Sequence, residues 1–308
     1  MVVLIVGLGS ISKKHITALN AICNELTIYA LRSSRDAGVV EGIINVFSMD
    51  EIIAKPDFAI VSNPTYKHFS TIENLIDKDI PMFIEKPALA SLVGAEYLIR
   101  KMEASSLVNY VACNLRFHPC IQFVKQYLSS NSVNRINEVN IYCGSYLPNW
   151  RPSLNFREVY SANKDQGGGV HLDLFHEMDY AYWWFGKPIK TSAVLTSKST
   201  LAIDAIDYAN YLMEYPQFNV SVILNYFRKD AKRTIEIVGE VETIHVDLLK
   251  NSIEGSESGQ MLQHQNFDIM YTYIYQMKYF IDHLQQNRDP MNTLSESIEA
   301  LKITLVNE

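Results

Sequence analysis

The sequence predicts an α/β protein, with an N-terminal doubly wound parallel sheet followed by an α+β region built on a mostly antiparallel sheet. Three observations predict it. The chain opens on a continuous apolar run, Val2–Val6, that ends in Gly7-Leu8-Gly9-Ser10-Ile11-Ser12. Short apolar runs then alternate with helix-spaced apolar residues as far as Asn114-Leu115-Arg116-Phe117-His118-Pro119. Beyond that point the apolar residues recur at every second position in separate runs. Continuous runs suit strands buried on both faces, and period-two runs suit strands with one wet face.

Taken in order, Val2–Val6 is the first strand and the stretch from the glycines through Leu19 is helical. Leu26–Leu31 and Phe58–Val61 are further strands. Phe69, Ile72 and Ile76 share a helix face. Met82–Ile84 is a short strand ending at Glu85-Lys86-Pro87. Leu92, Ala95, Ile99 and Met102 share the next helix face, and Asn109–Ala112 is a strand. Repeated βα units imply parallel strands, and ligands of such sheets bind at the carboxyl ends. Gly7, Ser62, Lys86 and Asn114 all follow predicted strands and should therefore cluster in space. Val139, Ile141 and Cys143, then Val220, Val222 and Leu224, then Ile244, Val246 and Leu248 alternate as half-buried strands. Ser252–Gly259 reads as a polar, mobile loop. Met270, Tyr273, Ile274, Met277, Ile281 and Leu284 form a helical stripe, and Ser295–Val306 a last helix. The domains expected are 1–118 and 119–308, with the last helix packing back on the first.

The chain has 308 residues, 48% of them apolar and 20% charged, with net charge −7, an ordinary balance for a globular protein with a sizeable core. No dense basic run is available to neutralise a nucleic-acid backbone or an anionic membrane. No apolar run reaches the roughly 20 residues of a membrane span. The N-terminal run lacks a basic flank and is not read as a signal peptide. Cys23, Cys113, Cys120 and Cys143 show no paired spacing, which suggests reduced thiols, a cytoplasmic location and no metal site.

Gly7-x-Gly9-x-x-Ser12 is an incomplete dinucleotide fingerprint of the Rossmann type. Gly7 would make the turn and Gly9 would admit a pyrophosphate. Ser10 and Ile11 would offer N–H groups at a helix start, and Ser12 replaces the usual third glycine. The second strand normally ends in an acid that binds the ribose 2′-hydroxyl. Here Arg32 and Ser33 stand there, with no acid before Asp36. That composition suits a 2′-phosphate, so NADP is favoured over NAD.

Gly167-Gly168-Gly169-Val170-His171-Leu172-Asp173-Leu174-Phe175-His176-Glu177 carries the second chemical signal. Three glycines permit positive φ and close approach to a ligand. Asp173 and His176, three apart on one helix, would share a face. A histidine near neutrality suits proton transfer from a hydroxyl, so His176 is the candidate base. Asp173 orients it, binds a substrate hydroxyl, or caps the helix. Lys86 is placed to bind the substrate oxygen and favour a developing alkoxide. Asn114, Arg116 and Tyr160 are candidates to line the substrate pocket. Trp150 and Arg151 are candidates for a sugar or its diphosphate. Asp179 and His171 stay outside the catalytic set.

The glycine loop, Glu85-Lys86-Pro87, Asn114–Pro119, the Gly167–Asp179 block and Trp183-Trp184-Phe185-Gly186, in this order, resemble the Gfo/Idh/MocA oxidoreductases. That family is named from glucose-fructose oxidoreductase, inositol dehydrogenase and rhizopine catabolism proteins. The resemblance covers nearly the whole chain. It implies an N-terminal Rossmann domain and a C-terminal domain with an open sheet that often joins subunits, here as a homodimer or homotetramer. It implies a cofactor set that includes Asn63, Pro64, His68, Glu85 and Lys86. It also implies hydride transfer at a carbon of a sugar, cyclitol or nucleotide-sugar. Ser12, the missing ribose acid and the three-residue Asp173–His176 spacing depart from the common pattern. The last of these resembles a subgroup associated with bacterial surface sugars. Two other readings remain open: a redox-neutral lyase or glycosidase that retains its cofactor, and a non-catalytic cofactor-binding protein.

Overall fold

The computed structural model describes residues 1–36, 38–130 and 135–306. The chain divides into two compact units: Met1–Asn114 with Ile269–Ile298, and Leu115–Asp268 with the residues from Glu299.

The first unit holds β1 (Val2–Val6), α1 (Ser10–Ile22), β2 (Thr27–Leu31), β3 (Ile43–Val46), β4 (Phe58–Val61), α2 (His68–Asp77), β5 (Met82–Ile84), α3 (Ala95–Ser105) and β6 (Asn109–Val111). Its strands are parallel, in the order β3-β2-β1-β4-β5-β6. The order reverses between β1 and β4, which is where a doubly wound sheet opens a crevice. Val3, Leu4, Ile5 and all of β4 are buried, as their unbroken apolar runs require. A late helix, Met270–Gln285, completes this core. Its Phe280 ring meets Phe58 at 5.0 Å and Phe83 at 5.5 Å between centroids. Strand β3 was not expected. It is a four-residue edge strand with one neighbour, in which Asn45 breaks the apolar run and Ile44 is exposed.

The second unit holds α4 (Pro119–Ser129), β7 (Ile136–Tyr146), α5 (Val170–Asp173), α6 (His176–Phe185), β8 (Lys190–Thr196), β9 (Tyr208–Glu214), β10 (Asn219–Asn225), β11 (Phe227–Gly239), β12 (Thr243–Asp247), β13 (Ser252–Gly255) and β14 (Gly259–Gln263). The helices Met270–Gln285 (α7) and Leu294–Thr304 (α8) follow. The sheet order is β14-β13-β12-β11-β7-β10-β9-β8, antiparallel except where β7 meets β10. The alternating residues Val139, Ile141, Val220, Val222, Leu224, Ile244 and Val246 fill its core face. The expected loop at Ser252–Gly259 is instead a hairpin. Ile253 is fully buried opposite Val246, and a strand with one apolar residue carries no periodic signal.

His118 starts α4 with a buried ring. Its Nδ1 accepts from the Cys120 N–H at 3.2 Å, and Nε2 lies 3.0 Å from Asn251 Oδ1. Only a neutral ring satisfies both bonds. Burial, against the Asn251 bond and with the charge of Arg233, lowers its pKa from 6.5 to about 4. The unfolded chain therefore takes up this proton first. The contribution is complete above about pH 6.5 and is lost as pH falls towards 4, on the order of 3 kcal/mol. Thermal melts at pH 7.5 and 5 should show a smaller acid loss for His118→Gln than for the parent chain. Equal losses would remove this histidine from the acid response.

Candidate functional site

Gly7 ends β1 at φ +92°, and a Cβ there would fall 2.5 Å from the Asn63 Cα. The β1 and β4 ends thus meet through glycine alone. Ser62 Oγ donates to Gly7 O at 2.8 Å, so the expected clustering of strand ends is present here. Ser12 has a definite task in place of the missing glycine. Its hydroxyl donates to Gly7 O at 2.7 Å and accepts from the Gly9 N–H at 2.9 Å, which clamps the turn.

The ends of β4 and β5 are tied by His68. Its Nε2 lies 2.9 Å from Asn63 O and its Nδ1 3.2 Å from Ala88 O. Burial lowers its pKa despite these carbonyl bonds and the nearby Glu85 charge. A buried ring that lies between two main-chain carbonyls and donates to one of them positions the loops that carry Asn63 and Lys86. The Lys86–Pro87 bond is cis. Glu85, just before it, receives His15 Nε2 at 2.6 Å, and its Oε2 accepts from the Lys86 N–H at 3.1 Å. Burial alone would raise the Glu85 pKa. The hydrogen bond from His15, with Lys86, outweighs it and holds the carboxyl below its ordinary range. The sequence reading missed His15. Its position in helical register with Ala18 and Leu19, on the buried face of α1, was the only signal.

These residues fit a nicotinamide dinucleotide on two observations. A Cβ at Gly9 would meet nothing within 4 Å, which leaves room for a pyrophosphate at the start of α1. Asn63 Oδ1 is buried with no partner among the described residues, while its Nδ2 donates to Thr71. An orphaned acceptor of this kind is costly unless a ligand donor meets it. Arg32, just past β2, reaches Asn45 Oδ1 with one arm at 3.4 Å. Ser33 is next to it, and no acid stands at that strand end.

In the second unit the glycines serve packing. A Cβ at Gly168 would lie 2.0 Å from the Tyr160 carbonyl oxygen. The close approach is to the protein's own backbone, not to the ligand expected there. Asp173 and His176 also do not share one helix: α5 ends at Asp173 and α6 begins at His176. Asp173 is no helix cap. Its carboxylate accepts from Tyr160 Oη at 2.7 Å and from Tyr226 Oη at 2.5 Å. Burial first, then the Asp173 charge, pushes both phenols above their ordinary range, so each remains a donor. Trp150 stands edge-on to Tyr226 at 5.3 Å, and the Arg151 guanidinium lies 5.8 Å from the Tyr160 ring centre. Asp173, Tyr160 and Trp150 thus come together, with Tyr226 as the unanticipated member. His176 is half-buried at the start of α6.

Two expected substrate residues are buried and engaged by other side chains. Arg116 is fully buried, with Nε and Nη2 bonded to Asp179 at 3.0 and 2.8 Å and Trp183 against it at 5.3 Å. It has no exposed surface for a ligand, and burying this cation requires that carboxylate partner. Asn114 is buried and donates to Thr272 Oγ1 at 2.8 Å. Glu177, buried on α6, receives Arg233 Nε at 2.6 Å.

Residues 1–112 match an oxidoreductase family with an NAD-binding Rossmann fold, and residues 121–245 match the GFO/IDH/MocA C-terminal domain. Glucose-6-phosphate 3-dehydrogenase of Bacillus subtilis (strain 168) is 23% identical over 252 residues, 76% of this chain and 71% of that protein. The structure of UDP-N-acetylglucosamine 3-dehydrogenase from Acidithiobacillus ferrooxidans aligns with TM-score 0.79 at 18% identity, covering 99% of this chain and 96% of that one. Levoglucosan dehydrogenase, in complex with NADH and levoglucosan, aligns with TM-score 0.84 at 14% identity, covering 99% and 95%. Among the described residues no helix is long and apolar enough to cross a membrane, and no cluster of metal-ligating side chains is present.

Proposed function

The chain belongs to the Gfo/Idh/MocA oxidoreductase family, and on that premise we propose that it transfers a hydride between a nicotinamide cofactor and a secondary alcohol or ketone carbon of a sugar, cyclitol or nucleotide-sugar. The observation that carries this is the carboxyl edge of β1, β4 and β5. An open glycine turn, an orphaned Asn63 acceptor and Lys86 follow three adjacent strands there.

A bound nicotinamide supplies the hydride acceptor or donor. Gly9, Ser10 and Ile11 receive the pyrophosphate, and Asn63 and Pro64 border the nicotinamide. Lys86 donates to the substrate oxygen and stabilises negative charge on it. His176 accepts the hydroxyl proton during oxidation and returns it during reduction. Asp173, fixed by two phenol donors, binds a substrate hydroxyl or orients His176. Tyr160 and Trp150 border the substrate beside it.

NADP is the favoured cofactor, because Arg32 and Ser33 stand where an acid would select NAD. Arg32→Asp should lower the affinity for NADPH relative to NADH by about tenfold or more, measured by nicotinamide fluorescence. An unchanged ratio would eliminate the arginine–phosphate contact. The outer face of the second sheet carries exposed Val194 and Leu212, and we assign a homodimer or homotetramer to it. The four cysteines, none of them in a disulfide among the described residues, support a cytoplasmic setting.

The test is NAD(P)H formation or consumption against a panel of sugars, sugar phosphates, cyclitols and nucleotide-sugars. Turnover supports the reading. Substrate conversion with cofactor retained and no net redox change would favour a redox-neutral lyase or glycosidase. Cofactor binding with no conversion of any kind would favour a binding protein.

A further inference from the structure

The pair His15 and Glu85 is buried where no ordinary surface ion pair would be. His15 is fully buried on α1, and its ring is edge-on to Phe83 at 4.9 Å and to Tyr273 at 6.0 Å. Nε2 faces Glu85 Oε1 at 2.6 Å, and Nδ1 is buried with no partner among the described residues. A proton on Nε2 alone makes the Glu85 bond without burying a second unmatched N–H. The carboxylate has a second contact: its Oε2 accepts from the main-chain N–H of Lys86 at 3.1 Å. The charged or titratable groups around it are Lys86 beyond the same strand, His68 on α2, and Tyr273 on α7 with Lys14 at 3.4 Å from its hydroxyl.

We propose that His15 is a positioning residue: by donating to Glu85 it keeps that carboxylate charged and fixed, and the carboxylate fixes the Lys86 main chain and holds its amine as an ammonium. A buried carboxylate without its donor takes up a proton instead. The Lys86 amine then loses a neighbouring negative charge and gives up its own proton more readily. Direct coupling between the two charges agrees with this, since Lys86 is one of the influences that hold the Glu85 carboxyl ionised. The inference rests on the proposed role of Lys86 only for its consequence in turnover.

The experiment reads the Lys86 amine directly, without a substrate. The full-length protein is labelled with trace acetic anhydride across pH 6 to 11, and acylation of Lys86 is followed by mass spectrometry with Lys13 and Lys55 as internal standards. At pH 8, Glu85→Gln and His15→Phe should each raise Lys86 acylation by roughly tenfold, the effect of one unit in its ionisation. His15→Gln, whose amide can still donate to Glu85, should stay within about twofold of the parent. The double variant His15→Phe/Glu85→Gln should match Glu85→Gln alone, because both act through one carboxylate.

Unchanged Lys86 acylation in Glu85→Gln and His15→Phe, with parent-like circular dichroism, overturns the proposal. If His15→Phe does not fold, the contrast between Glu85→Gln and His15→Gln decides. In a turnover assay, the alkaline limb of kcat should move to lower pH in Glu85→Gln. A shifted Lys86 with no sugar turned over would leave the positioning intact and remove the dehydrogenase reading. Turnover with unshifted Lys86 would do the reverse.

Discussion

Replacing Lys86 by alanine is expected to lower kcat by about 10²–10⁴-fold while NAD(P)H affinity stays within a few-fold of the parent. The expected asymmetry follows from chemistry. An ammonium at the substrate oxygen matters most when that oxygen carries negative charge, which is in the transition state. On the proposed reading, cofactor binding draws on other groups: the Gly9 turn, the start of α1 and Asn63. His176→Ala should lose a similar factor and should also change the pH dependence of oxidation, since it removes the proton acceptor. Lys86→Arg should recover little. Guanidinium keeps the charge but not the compact geometry of the ammonium. Steady-state kinetics and fluorescence titration together separate the two quantities. Parent-like kcat in both alanine variants would remove Lys86 and His176 from the mechanism. A collapse of cofactor affinity with unchanged kcat would turn Lys86 into a cofactor ligand.

Gly168→Ala is expected to be the most destabilising of the conservative changes. Its new methyl group would lie 2.0 Å from Tyr160 O and 2.7 Å from Asn163 O, both main-chain atoms that cannot rotate away. Relief requires moving the Tyr160 turn, and Tyr160 Oη is one of the two donors on Asp173. We expect a loss of about 3 kcal/mol or more, lowering Tm by roughly 6–12 °C for a domain of this size. Gly9→Ala is the matched control. A Cβ there meets nothing within 4 Å of protein, so Tm without nucleotide should hold. Its nucleotide affinity should fall about tenfold or more, because the methyl group would occupy the approach reserved for a pyrophosphate. Thermal melts with and without NADPH test both. Parent-like Tm in Gly168→Ala would show that the Tyr160 turn yields readily. Parent-like affinity in Gly9→Ala would make the glycine a feature of the turn alone.

The first unit was largely legible from sequence because its signals are local. Fully buried strands need unbroken apolar runs, and a tight turn between a strand and a helix needs glycine. The edge strand β3 escaped because its four residues, broken by Asn45, carry no sustained apolar run. In the second unit, alternation located β7, β10 and β12. It did not locate β8, β9, β11, β13 or β14; in β13 Ile253 is the single apolar side chain. The continuous helix expected through Asp173 and His176 breaks after Asp173, and composition gave no warning of it.

By itself the sequence determined the parallel sheet, the glycine turn and the mostly antiparallel second sheet, together with the family they belong to. Each rests on backbone geometry or on the burial period of neighbouring residues. Only the tertiary structure decided which polar side chains meet. His15 and Glu85 are 70 residues apart, and Tyr226 is 53 from Asp173. Arg116 resembled a ligand-binding arginine until Asp179, 63 residues away, proved to hold it in the core. Periodicity reports which face of an element is buried. The partner of a buried polar group depends on strand order, register and helix packing, and these bring together residues whose separation in sequence carries no trace of the contact.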